Sequence, residues 1–239
     1  MYGKKREGFG MKKRLGIRSD EFLDKYTFSA VRDNPFFPSV MLRMAEHPQK
    51  PCPFLLPDGC SIYEDRPSSC RTYPLERAVA RVPQQGRRED HYFLKHAPYC
   101  LGHQEEKEWT VEEWIANQEI KPYNEMNDLW VNIDTIFRTN PWGHGEAASK
   151  KLRMAFMACF NVDQFRRFVL KSSFRSRFDV SEERVEKMKM DDVEMMKFGF
   201  EWVEFFLTGR GALASRFAQG NQPEFRKSQL RAKTCQHTG

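Results

Sequence analysis

Ten of the chain's thirteen prolines fall between Asn34 and Pro98, at positions 35, 38, 48, 51, 53, 57, 67, 74, 83 and 98. Proline lacks an amide hydrogen and locks φ at about −65°, so regular helix cannot persist through that stretch. Short strands remain open to it at Ser39–Met44 and at Ala78–Val82, the second alternating small apolar and basic residues. Such a segment keeps its shape only if something other than backbone ladders fixes it. Four of the six cysteines stand in it or just after it, at 52, 60, 70 and 100.

Four thiolates make a complete ligand set for tetrahedral zinc or for an iron–sulfur cluster, and the sequence leaves the choice between them open. The intervals of seven, nine and 29 residues match no zinc ribbon, and no C-x-x-C pair is present, so spacing alone is a weak signal. The surrounding chemistry strengthens it. Prolines and Gly59 stiffen the loops that would present sulfur from Cys52, Cys60, Cys70 and Cys100. Arg66 and Arg71 could offset thiolate charge and donate hydrogen bonds to a bound cofactor. His103 follows Cys100 at a C-x-x-H spacing and is a further donor candidate, ahead of His96 and His91. Against this stand two plainer readings of the same cysteines, ordinary buried thiols and a redox disulfide.

The flanks read as helix. Ser19 can cap a short amphipathic helix carrying Leu23 and Tyr26 on one face. Beyond Cys100, Thr110 and Glu113 form a capping-box pair ahead of Trp114, and Tyr123 to Phe137 places Met126, Leu129, Trp130 and Ile133 on one stripe. Further helices are expected over Gly145–Phe160, Val162–Phe174 and Ser181–Leu207, the last broken near Met190-Asp191. The Met- and Phe-rich stripe from Met188 to Phe206 reads as core packing, and Cys159 as a buried thiol. The expected fold is mainly α. A Pro- and Cys-rich loop domain with minor short strands (1–140) is followed by a helical bundle region packed on it (141–208). A basic mobile tail (209–239) carries Cys235.

Aromatic residues make up 13% of the chain, with 20 Phe and 5 Trp, which supports a packed core despite a mean hydropathy of −0.72. No run of 18 apolar residues exists and the first 18 residues are polar and basic, which argues against a membrane span and a secretory signal. A cytoplasmic setting follows, where clustered cysteines serve metal or redox chemistry more often than structural disulfides. The net charge of +6 belongs to the ends. Residues 1–18 carry seven Lys/Arg against one acid and residues 209–239 six against one, so the body is net acidic and nucleic acid is not the expected partner.

The run Cys52-Pro-Phe-Leu, Gly59-Cys60-Ser-Ile-Tyr63, then Arg66-Pro67-x-x-Cys70-Arg71-x-Tyr73-Pro74, resembles the signature of the YkgJ-type cysteine-cluster proteins. Cys100 and the Trp109–Trp114 segment resemble the downstream part of the same domain, so the resemblance spans roughly residues 13–140. Such proteins are described as zinc- or iron-chelating, are often labelled Fe–S oxidoreductases, and are related to a domain of flagellin lysine N-methylase. The resemblance thus implies metal held by cysteine. The family usually opens with a C-x-x-C-x-x-C-C group ahead of a segment similar to Leu15-Gly-Ile-x-x-x-Glu21-Phe-Leu-x-x-Tyr26, whereas here no cysteine precedes Cys52. The expectation is that the chain either begins inside the domain or has lost those ligands.

Three functions are compatible with this sequence. The first is a metalloprotein whose four-Cys site, having no open coordination position, serves structure or electron transfer, with the helical region packed on it or presenting it to a protein partner. The second is a protein-modifying enzyme such as a lysine N-methylase, implied only by the resemblance. Its sole cofactor-loop candidate is the isolated Gly209-Arg210-Gly211. The third is a metal-free helical interaction scaffold.

Overall fold

The segment Asp192–Thr208 carries an extended apolar face, with Met195, Met196, Phe198, Trp202 and Val203 all buried. In a computed structural model that describes residues 7–82, 87–211 and Leu213, this segment is helix α10, and besides the helix just before it α10 packs on three earlier helices. These are α5 (Lys121–Phe137), α6 (Glu146–Phe160) and α7 (Val162–Lys171). Two shorter helices, α8 (Phe174–Arg177) and α9 (Glu182–Met190), complete this bundle and bury Phe174, Val185 and Met188. The Met- and Phe-rich stripe is core, as its periodicity predicts, and Cys159 sits inside it fully buried.

The close approach of α10 to α6 depends on Gly199. A Cβ there would lie 2.6 Å from the Ala158 carbonyl oxygen and 3.4 Å from the Phe165 ring. The break between α9 and α10 also has a local cause. Asp191 leaves helical dihedrals and its carboxylate accepts from the Val193 and Glu194 amides, which caps α10.

A second, smaller core holds Met11, Phe22, Phe54 and Ile62, with Cys52 and Cys60 against it. Met11 lies on α1 (Glu7–Leu15) and Phe22 on α2 (Ser19–Tyr26). The sequence reading counts α1 only as part of a basic end, and the structure gives one of its cations a buried place. Lys12 is buried, with its ammonium 2.9 Å from both Asp163 and Asp192, and Arg166 bridges the same two carboxylates. A basic residue that is solvated in isolation is recruited by acids 151 and 180 positions away in the chain, which no local pattern reveals.

Ser19 is likewise reassigned. It is the first helical residue rather than the cap, and its hydroxyl donates to Asn161 Oδ1 (2.7 Å) while accepting from the Asp163 amide (2.9 Å). The first turn of α2 is thus tied to the start of α7.

The proline-rich stretch, with residues 27–30 ahead of it, forms three antiparallel ladders of two strands each. Strand β1 (Thr27–Ala30) pairs with β2 (Ser39–Leu42) in the register Thr27↔Leu42. Strand β3 (Leu55–Leu56) pairs with β4 (Gly59–Cys60), and β5 (Leu75–Val82) with β6 (Arg87–Leu94). The expected strands at 39–44 and 78–82 correspond to β2 and β5, whereas β6 begins with the charged run Arg87-Arg88-Glu89-Asp90, which has no strand signature. Arg77 on β5 explains part of it by forming fork contacts to Asp90 and to Asp128 of α5. Burial works against its charge, but the two carboxylates outweigh that and hold the guanidinium more basic than usual. Phe37 anchors the stretch to the bundle by stacking on Phe137 at 4.0 Å.

The described chain is therefore mainly α, with short two-stranded ladders as its only sheet. Among the described residues no helix is long and apolar enough to cross a membrane. The expected tail lies outside the described residues from position 214 on, as does Cys235.

Candidate metal centre

Cys52 and Cys60 come together through local chain geometry. Pro51 and Pro53 flank Cys52, and the Leu55 amide donates to the Cys52 carbonyl (3.0 Å), turning the chain into β3. Gly59, at φ +120°, adopts a backbone that side chains disfavour and returns the chain into β4, where Cys60 stands opposite Leu55. Both thiols are half-buried on the small core beside Phe54 and Ile62. Burial pushes the Cys52 thiol above its usual range, and repulsion from the neighbouring Cys60 adds to it. The two thiols thus lie against the same small core.

The remaining two cysteines are elsewhere. Cys70 is exposed on a short helix, α3. Helix α3 is Ser68–Thr72, and the helix after it, Val111–Asn117, is α4. Cys100 is half-buried just before a 3-10 turn at Leu101–Gln104. Its partner is Tyr73, whose phenol is pushed up to about 12 chiefly by the hydrogen bond with Cys100. The Tyr73 hydroxyl is also 3.5 Å from His103 Nε2, and the His103 ring stacks on His96 at 3.9 Å. The structure thus joins Cys100 to Tyr73, His103 and His96 rather than to Cys52 and Cys60.

Arg66 and Arg71 are both buried. Arg66 donates to the Tyr63 carbonyl and to Gln118 Oε1, both at 2.6 Å, and lies 3.9 Å over the Tyr63 ring. Arg71 donates to the carbonyls of Gln118 (3.2 Å) and Glu64, faces the Glu119 carboxylate at 3.6 Å, and sits over Tyr123. Together they fasten the 63–65 turn to the C-terminal end of α4, carbonyl by carbonyl. One donor is left over: Arg71 Nε is buried without an acceptor among the described atoms.

The fit of a metal to these residues is partial. Cys52 and Cys60 provide two soft donors side by side, and the orphaned Arg71 Nε, one residue from Cys70, is a donor suited to an anionic acceptor. Among the described residues, however, no three His, Cys, Asp or Glu side chains are grouped as a metal site. Sequence reasoning named all four cysteines but not Tyr73 as the group linking Cys100 to His103. Its only signal is position, since Tyr73 stands three residues after Cys70 in the same motif. Gly209, the start of the isolated G-x-G, is the left-handed C-cap of α10 with φ +68°, so that glycine has a structural task.

Residues 13–101 match the model of the CxxCxxCC family, a domain proposed to chelate zinc or iron. The match begins within α1, includes all four clustered cysteines and ends before α4. No curated protein and no solved structure matches the chain.

Proposed function

We propose that residues 13–101 bind zinc or iron through cysteine, and that Cys52 and Cys60 are the pair on which the metal is held. The observation that carries this reading is the placement of both thiols against the same small core, with Cys60 opposite Leu55 in the β3–β4 ladder and among the groups that push the Cys52 thiol up. The family match supports the chemistry. Thiolates select zinc and iron–sulfur centres over hard cations, and a set closed by thiolates supplies structural cross-linking or electron transfer rather than Lewis-acid catalysis.

This chain's own residues do the remaining work. Pro51, Pro53 and the Gly59 turn fix where the two sulfurs stand. Phe54 and Ile62 exclude water behind them, and Arg66 and Arg71 hold the 63–65 turn so that α3 presents Cys70 nearby in the chain. A reducing, cytosolic setting keeps the thiols free, and the helical bundle provides a face for a protein partner.

Protein purified without oxygen is expected to carry zinc, or iron with a brown absorbance, at no more than one site per chain. Cys52→Ser and Cys60→Ser should each abolish retention. Cys159→Ser should keep the metal while losing about 1–3 kcal/mol of stability from burying a hydroxyl. A chain that stays metal-free after reconstitution defeats the proposal. It then favours the scaffold reading, which rests on the lack of a three-donor group among the described residues.

A further inference from the structure

A cleft of about 580 Å3 lies beside Cys100, between the β5–β6 ladder and the segment that leads into α4. Its volume falls in the range of roughly 300–1,000 Å3 typical of small-molecule sites. Cys52 and Cys60, the pair on which the metal is proposed to be held, do not line it; of the four clustered cysteines Cys100 does. Its apolar lining comes from Leu75, Leu94, Val111 and two tryptophans, and its half-buried polar end from Tyr73, Cys100 and His103.

The tryptophans are arranged rather than merely exposed. Trp114 Nε1 donates to the Thr72 carbonyl (3.2 Å), which fixes its indole, and Trp109 meets it edge-on at 5.6 Å. Lys107 lays its ammonium 3.7 Å over the Trp109 ring. Among the described residues no carboxylate forms an ion pair with it. The neighbouring acid Glu113 accepts from the Thr110 amide and hydroxyl, both at 2.9 Å, and acts on Lys107 only as a minor through-space charge. The cleft therefore pairs flat apolar surface with one positioned cation. Glu105, also lining it and exposed, makes the rim unfavourable for a second negative charge.

We propose that this cleft binds a small aromatic monocarboxylate, with its ring against Trp109 and Trp114 and its carboxylate on Lys107. Aromatic rings prefer edge-to-face and offset contacts with indole, and a carboxylate beside a positioned ammonium gains a charge-assisted hydrogen bond. An uncharged analogue keeps only the first contribution, and a dianion meets Glu105.

The test uses the full chain, with 1-naphthoate, uncharged 1-naphthamide and naphthalene-1,4-dicarboxylate as probes. Binding is measured by calorimetry, and the site is located by the rate at which iodoacetamide alkylates each cysteine. The monoanion should bind most tightly and should slow alkylation of Cys100 while leaving exposed Cys70 unchanged. Lys107→Gln, a surface change, should weaken 1-naphthoate about five- to tenfold and leave 1-naphthamide unaffected. Cys52→Ser should leave all of this intact, which separates the cleft from the metal reading. Equal affinity for acid and amide, an unchanged Cys100 alkylation rate, or indifference to Lys107→Gln would each overturn the proposal.

Discussion

Lys12→Met is the change that most directly tests how the two cores are joined. The Lys12 side chain is 9% exposed, and its partners Asp163 and Asp192 are 16% and 25% exposed. With Arg166 the four groups are neutral as a set. Removing the ammonium leaves one guanidinium against two carboxylates, an uncompensated negative charge in a nearly dry site. Breaking a fully buried pair this way costs about 3–5 kcal/mol, which the partial exposure of Asp192 reduces to about 2–4 kcal/mol. For a chain of this size 1 kcal/mol moves the melting temperature by about 2–4 °C, so a drop of about 4–16 °C is expected by calorimetry at pH 7.

The pH dependence has a definite sign. Burial works to raise the Asp163 pKa, yet hydrogen bonds from Lys12 and Ser19 outweigh it and hold the carboxyl below its usual value. A depressed folded-state pKa adds stability above the unfolded value that is lost as pH falls through the folded one. The gap between wild type and Lys12→Met should therefore close as the pH drops below the ordinary carboxylate range. The double variant Lys12→Met/Asp192→Asn restores neutrality and should recover at least about 1 kcal/mol relative to the sum of the single changes. A melting shift below about 2 °C, or additivity within about 0.5 kcal/mol, refutes the reasoning. Because α1 also supplies Met11 to the core that carries Cys52 and Cys60, the single variant should bind metal less firmly too.

Three further outcomes are expected. Gly199→Ala drives a Cβ to 2.6 Å from the Ala158 carbonyl, so despite the better helix propensity of alanine it should destabilise the bundle by about 1–3 kcal/mol in urea unfolding, and a neutral result would mean α6 and α10 can separate freely. Arg71→Gln breaks the bonds to the Gln118 and Glu64 carbonyls and should cost about 1–3 kcal/mol, with Arg71→Lys recovering only part because an ammonium cannot reproduce the fork; equal stability of both variants and wild type argues against the clamp. Thr110→Ala removes the capping box of α4 and should lower the melting temperature by the equivalent of about 1 kcal/mol, while raising the pKa of Glu113, which the Thr110 bonds now hold below its usual value, as carboxyl NMR can check.

Helices after Cys100 were legible because their signals are local. Apolar residues recur with helical period from Tyr123 to Leu207, Asp191 interrupts them, and Thr110 and Glu113 stand at capping-box spacing; α5, α6, α9 and α10 follow these marks to within a few residues. The four cysteines were equally legible as a motif. Which of them meet was not. A pair closed by a seven-residue loop, such as Cys52 and Cys60, is set by its own prolines and the Gly59 turn, whereas the companions of Cys70 and Cys100 depend on how α4 packs against the 63–74 segment. Arg66 and Arg71 show the same division: their charge is plain in the sequence, but a guanidinium bonds whichever acceptor the fold brings near, and here those are backbone carbonyls and Gln118. Lys12 is the clearest case. Lys13 and Arg14 follow it in the chain, and only the tertiary fold sets Asp163 and Asp192, in the first turns of α7 and α10, 2.9 Å from its ammonium, because Coulomb attraction acts on distance in space and a local sequence pattern records only distance along the chain.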